Sequence, residues 1–334
     1  MSDIKEKVTS KRFIALVLGC AAFAAGGLAA GGVLRTVLLC VALYLLVWAA
    51  LSLVLGKRSF GRAFDDVNTY LVLIAVSAVF VFPCLWLILA SFSKSGSLYD
   101  FKGFFPPAYS IETFRTLFTD DVNGLYPYKT WFLNTLYVSS CSCVLGTVLV
   151  ILTGYVMSRF RFKGRNAVKQ TTLVLGMFPG FMGMTAIYII MNQLGLVNRL
   201  EALIFLYAGT APMGYLVQKG YFDTIPFAMH EAARIDGASN LKIFTKITLP
   251  LSKPMIVYTA LMQFAWPWSD VLLPKLLLKN RTNWTVAVGL FSMGEDYFAR
   301  FAAGSVFIAV PIVILYFCLV KYIVGGLTAG AVKG

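Results

Sequence analysis

The 334-residue chain is 59% hydrophobic and 13% charged, with a mean hydropathy of +0.77. Soluble domains carry about a quarter charged residues, so this composition excludes a soluble globule and predicts an all-α integral membrane protein. The net charge of +14 would suit nucleic acid, but its distribution follows membrane topology instead, and the lipid bilayer rather than nucleic acid is the expected partner.

Apolar runs of about 20 residues read as membrane helices. Eight occur, near 13–32, 36–55, 69–92, 133–157, 170–194, 200–218, 255–274 and 302–324. The third, fourth and eighth are the clearest; the sixth is short, and Pro267 and Asp270 interrupt the seventh. The charged start followed by an apolar stretch has the order of a signal peptide. The stretch is too long for one, and a second run follows at once. Residues 1–66 are therefore expected to form a two-helix membrane extension, and residues 67–334 a six-helix core. Gly27 and Gly31 are spaced to permit close helix contact in the extension.

With the N-terminus placed in the cytoplasm, the inner segments are 1–12, 56–68, 158–169, 219–254 and the C-terminus. Counting Lys321 near the last helix end, they hold 19 of the 29 Lys and Arg residues, the bias that orients helices during insertion. Both termini are then cytoplasmic, and Arg159, Arg161, Lys163, Arg165 and Lys169 form the firmest anchor. Outside, residues 93–131 carry Phe104-Phe-Pro-Pro107 and Tyr126-Pro-Tyr128, too aromatic for a disordered segment, and are expected to pack over the outer mouth. In the fifth run Gly176, Pro179, Gly180 and Gly183 predict a kink near Pro179, which fits either plain packing or a gate.

Residues 222–254 form a long polar break. Pro226 suits a first helical position, with Thr224 or Asp223 as its cap. A helix through about Asp236 should stop at Gly237, the residue best able to adopt the left-handed terminating conformation. Ser239 can cap a second helix ending before Pro250, with Leu241, Phe244 and Ile247 as one apolar face. Ala232 and Ala233 leave a smooth surface for close approach, and Glu231 offers a charge that a partner arginine could read. The same pattern also fits an amphipathic hairpin lying on the membrane. The single histidine, His230, has no clustered ligand partner and reads as a plain loop residue. All six cysteines fall within predicted spans, which does not suit a disulfide framework, and no metal site is expected.

On the seventh run Gln263, Trp266, Trp268 and Asp270 are candidates for a translocation path, since an intramembrane Asp should face a cavity or partner. The two tryptophans fit an interfacial belt equally well. No Gly-x4-Gly-Lys-[Ser/Thr] phosphate loop occurs, so no ATP site is expected on this chain, and no catalytic residues are evident.

Glu231, Ala232, Ala233, Asp236, Gly237, Ala238, Ile247, Leu249 and Pro250 fall on the pattern of the EAA loop, and the chain resembles the binding-protein-dependent ABC importer permeases. Phe132-Leu-Asn-Thr-Leu-Tyr-Val-Ser139 and Gly154-Tyr-Val-Met-Ser-Arg-Phe-Arg-Phe-Lys-Gly164 open and close the second core helix as in that family. The end, Gly326-Leu-Thr-Ala-Gly-Ala-Val-Lys-Gly334, resembles the smaller permease subunit of maltose-type oligosaccharide importers. The resemblance implies a non-enzymatic subunit in the bacterial cytoplasmic membrane, pairing with a second permease. Two ATPase subunits, which use ATP and Mg, would dock on the loop at Glu231, Ala232, Ala233, Asp236, Gly237, Ala238, Ile247 and Pro250. They would also contact the tail at Gly326, Leu327, Thr328, Gly330, Lys333 and Gly334. An extracellular or periplasmic sugar-binding protein would deliver a maltodextrin-like oligosaccharide. The competing reading is an ion-coupled secondary transporter or channel, for which Asp270 is the one plausible intramembrane carboxylate.

Overall fold

The computed structural model describes residues 11–29, 32–54, 57–94, 96–101, 105–119 and 122–331. In chain order its helices are α1 (Lys11–Ala29), α2 (Gly32–Val54), α3 (Lys57–Ser91), α4 (Glu112–Leu117), α5 (Tyr128–Arg159), α6 (Arg165–Gly176), α7 (Met184–Gln193) and α8 (Leu200–Thr210). There follow α9 (Tyr215–Thr224), α10 (Phe227–Ile235), α11 (Asn240–Ile243), α12 (Leu249–Leu251), α13 (Lys253–Ser269), α14 (Leu272–Leu277), α15 (Val286–Phe291) and α16 (Phe298–Ala331). Among the described residues the only β pairing is one isolated bridge, Ser93 with Tyr109.

By length and apolarity, three single helices can cross a membrane: Phe64–Ser91, Tyr128–Arg159 and Glu295–Tyr322. These are the third, fourth and eighth runs of the sequence. Two further runs are each broken into a bent pair, so the described residues supply up to five spans. The fifth run bends by 98° between Gly176 and Gly180, where Pro179 takes an extended ψ of 127° and cannot continue the helix. The sixth bends by 41° between Thr210 and Tyr215. The seventh, α13, continues through Pro267 and stops at Asp270. In α1 and α2 the described apolar stretches are Ile14–Ala24 and Leu38–Ala50.

The chain divides into two compact units, Met1–Cys84 and Leu85–Gly334, so the division falls within α3. In the first unit Tyr44 of α2 donates to the Asn68 side-chain oxygen, and the buried Trp48 meets Phe64 edge-on with centroids 4.9 Å apart.

The second unit is built around α5, against which α8, α9, α13 and α15 pack. Its inward face is rich in small residues, including Ser139, Ser142, Gly146 and Gly154, which let helix axes approach closely. A Cβ on Gly154 would lie 3.0 Å from Gln218 Cγ on α9, and Gln218 in turn accepts a hydrogen bond from Thr259 of α13 at 3.2 Å.

Toward its N-terminus α5 is fastened by side chains. Trp131 Nε1 donates to the Arg281 carbonyl (2.6 Å), Tyr128 to the Gly304 carbonyl (2.7 Å), and Asn134 to the carbonyls of Thr282 and Trp284 (2.8 and 3.0 Å). In the aromatic segment that precedes α5, Phe114 and Phe118 both lie edge-on to Phe307 of α16, at 5.8 and 4.9 Å.

Candidate functional site: a mounted helical corner

The polar segment 222–254 forms two helical arms meeting at a corner. Helix α10 ends in a paired carbonyl cap: Ala238 N–H donates to Ala233 O (2.9 Å) and Gly237 N–H to Arg234 O (3.0 Å). That is the Schellman arrangement, and it needs a left-handed residue just past the helix. Gly237 supplies it, with φ of +76°. Ser239 then caps α11 by accepting from Lys242 N–H at 3.3 Å, and Arg234 reaches across the corner to Asn240 Oδ1 (3.2 Å).

No atom lies within 4 Å of a Cβ built on Gly237, so the effect of a side chain there is purely conformational. Gly237→Ala is expected to destabilise the corner by about 1 kcal/mol. Limited proteolysis would show faster cleavage at 236–240, and unchanged cleavage would contradict the assigned geometry.

The two arms differ from their sequence-based reading in four respects. Pro226 is the cap position, not the first helical residue, and α10 receives no side-chain cap. Thr224 instead donates to Tyr221 O, while Asp223 accepts from Ser158 (2.6 Å) and pairs with Lys219. The second arm does not end before Pro250. It passes through a π-turn, Phe244–Thr248, in which Leu249 N–H bonds Phe244 O, and continues to Leu251. A proline ring crowds the carbonyl four residues back, and a widened turn accommodates it.

The inward side chains of this arm include Ile243, Phe244 and Thr248, whereas Leu241 is 70% exposed. Last, His230 is not a plain loop residue. It is 3% exposed, its Nε2 lies 3.0 Å from Thr248 Oγ1, and its ring stacks on Phe227 at 6.2 Å and 11°.

What holds the arms is the far end of α5. Tyr155 packs on Phe222 before the corner (6.1 Å) and on Phe244 after it (4.5 Å); Ile151, Ile225, Phe160, Leu249 and Ile256 complete the cluster. Arg159 Nη2 donates to the carbonyls of Phe222 and Ile225, the latter at 2.9 Å. Tyr155 and Arg159 lie within the motif that closes the second core helix, but nothing in the spacing of that motif announces a contact more than 60 residues away.

The corner itself points outward. Glu231, Ala232, Asp236, Gly237 and Pro250 are exposed, while Ala233, Ala238 and Ile247 are partly covered. Beside them Ile235 is 87% and Leu241 70% exposed, an apolar pair flanking Gly237; the sequence reading placed Leu241 on a packed face and did not name Ile235. Burying two such side chains against a partner contributes about 1.5–3 kcal/mol each.

The four path candidates are not brought onto one surface. Trp268 is 1% exposed and packed on Phe132 and Phe264, Trp266 is 62% exposed, and Gln263 lies against Gly146 of α5. Asp270 accepts from Tyr207 (2.9 Å) and from Leu273 N–H (3.3 Å), so it caps the start of α14. Gly326, Leu327, Thr328 and Gly330 of the tail lie in the last turns of α16, of which only the backbone path is described; Lys333 and Gly334 lie outside the described residues. Among the described residues no three His, Cys, Asp or Glu side chains gather closely enough to hold a metal ion.

An exposed two-arm corner thus stands on an all-helical unit that contains helices long and apolar enough to cross a membrane. The chain belongs to the family of binding-protein-dependent transport system inner membrane components, whose model matches residues 146–328. It is 38% identical over 283 residues to the maltodextrin transport system permease protein MdxG of Bacillus subtilis, covering 83% of this chain and all of that relative. To the galactooligosaccharides transport system permease protein GanQ of the same organism it is 36% identical over 271 residues, or 80% of this chain and 95% of that one. In fold it is similar to a chain in the crystal structure of a bacterial ABC transporter involved in the import of the acidic polysaccharide alginate. The TM-score there is 0.64 at 22% identity, covering 80% of this chain and 99% of that one. The chain is thus an ABC permease of the inner membrane, with multiple membrane passes.

Proposed function

We propose that this chain is one half of the translocation unit of an ATP-driven oligosaccharide importer, coupled to its ATPase through the corner at Gly237. The observation that carries the reading is the corner's geometry. An exposed Glu231, a pair of alanines and two exposed apolar side chains sit on a base buried against α5, as a surface moved by a partner requires. A second permease would complete the path, two ATPase subunits would hydrolyse ATP with Mg, and an external binding protein would supply the sugar. The residues at 1–66 would add two helices to a six-helix core, with both termini in the cytoplasm.

Relatives named for maltodextrins and for galactooligosaccharides support an oligosaccharide substrate, with maltodextrin the first to test. Asp270, the one carboxylate the ion-coupled alternative offered, accepts a hydrogen bond on each oxygen from Tyr207 and Leu273 N–H, which supports a structural role for it. In proteoliposomes holding the whole transporter and its binding protein, uptake of labelled maltotriose or galactotriose should require internal ATP and survive a protonophore. Uptake abolished by the protonophore at constant ATP would refute the reading.

A further inference from the structure

Arg159 ends α5, and its Nη2 donates to two carbonyls, those of Phe222 and Ile225. These lie at the C-terminal end of α9, where helix carbonyls carry partial negative charge and, apart from the Ile225 N–H that reaches Phe222 O at 3.2 Å, await donors from outside the helix. The same guanidinium sits 5.9 Å over the ring of Phe227, the first residue of α10. Phe227 stacks on His230, and His230 bonds Thr248 in the π-turn of the return arm. The contacts therefore run without a gap from α5, through the outgoing arm, to the returning arm. Both His230 and Thr248 are buried, while the docking residues Glu231, Ala232 and Asp236 stay exposed.

We infer that Arg159, Phe227, His230 and Thr248 form a strut that makes α5 follow the corner when a partner moves it, so that Arg159 and His230 are positioning residues for coupling rather than docking residues. The inference rests on the reading of the corner as an ATPase-driven element. Without the strut α10 would be tied to α9 only through the Ile225–Pro226 link, where the backbone leaves the helical region with ψ of 120° and 129°, and α5 would meet the arms through the apolar Tyr155 cluster alone, a non-directional contact across which movement can dissipate. A planar guanidinium gripping two carbonyls is suited to this task in a way a point-charge lysine is not.

The strut also carries a pH dependence. The ionisable groups around it are Arg159 and Tyr155 from α5 and Arg234 from α10 itself; on the return arm Thr248 is uncharged and Lys246 is exposed. Burial, and then the Arg159 charge, hold the His230 imidazole below its ordinary value of 6.5. A depressed histidine gives its full packing contribution above the unperturbed value, and loses it as pH falls from there toward the folded value.

The test uses the transporter purified with its partners, and reads site-resolved maleimide labelling of the native Cys143 with and without ATP–vanadate. Cys143 lies on α5 with its thiol against the Ala260 carbonyl of α13, at 3.2 Å, so its reactivity reports movement between those helices. In the wild type, trapping should change the labelling rate at least about threefold. Arg159→Gln and His230→Ala should bring the trapped-to-free ratio close to one while the ATPase still co-purifies. His230→Gln, which can still bond Thr248, should restore it. Between about pH 7.5 and about pH 5.5 the wild-type ratio should shrink and that of His230→Gln should not.

Wild-type ratios in Arg159→Gln and His230→Ala, or no response to trapping in a wild type that retains its ATPase, would overturn the strut. Loss of the ATPase in the variants would show a docking or folding role, and would also overturn it. A wild type that purifies without any ATPase would instead fail the functional reading itself.

Discussion

Gly289→Ala is expected to cost the folded subunit about 3 kcal/mol, at the upper end for an overpacked core. Gly289 lies in α15, with five of the six residues of that helix buried. A Cβ there would fall inside the van der Waals envelope of three carbons of the Trp131 indole. The ring cannot swing away: it is fully buried, its Nε1 is held by the Arg281 carbonyl at 2.6 Å, and Trp284 and Tyr126 flank it at 6.1 and 6.4 Å. Strain would pass directly to the attachment between α5 and the 281–290 segment. In mild detergent the temperature at which the protein ceases to elute as a single species should fall by roughly 5 °C. Gly209→Ala, in a helix with nothing within 4 Å of the new methyl, should shift it by no more than about 2 °C. Equal behaviour of the two variants would contradict the packing described.

Glu231→Lys should act in the opposite way, on assembly and not on folding. Glu231 is exposed and among the described residues forms no ion pair within the chain, so its replacement should leave stability within about 0.5 kcal/mol. At an interface, truncating one member of a buried charge pair costs about 2–5 kcal/mol, and reversing its sign adds repulsion. Recovery of the ATPase with the tagged variant is expected to fall at least about tenfold, with membrane insertion unchanged and Glu231→Gln intermediate. Wild-type recovery in Glu231→Lys would remove Glu231 from the docking surface.

Much of this architecture was legible before any coordinates, because its signals are local. Hydropathy marked the three long spans, Pro179 marked the sharp bend, and Gly237 with Ser239 marked the corner, since a left-handed cap and a serine cap each act within four residues. What stayed hidden depends on distant partners. Asp223 reads as a helix cap until Ser158 and Lys219 take both its oxygens. His230 looks isolated because Thr248 is 18 residues away and contributes a hydroxyl, not a metal ligand. The π-turn before Pro250 arises from how a helix absorbs an internal proline, where pattern reading predicts a stop. Trp266 and Trp268 are two apart, which on a helix places them on different faces, and the packing buries one and exposes the other.

The role proposed for this chain is that of a docking half of an ATP-driven importer. It is tested most directly by purifying the tagged chain from its native membrane in mild detergent and identifying by mass spectrometry what accompanies it. A phosphate-loop ATPase and a second permease are expected at comparable abundance, both reduced by Glu231→Lys. Recovery of the chain alone or self-associated, in a detergent shown to preserve a known importer complex, would contradict it.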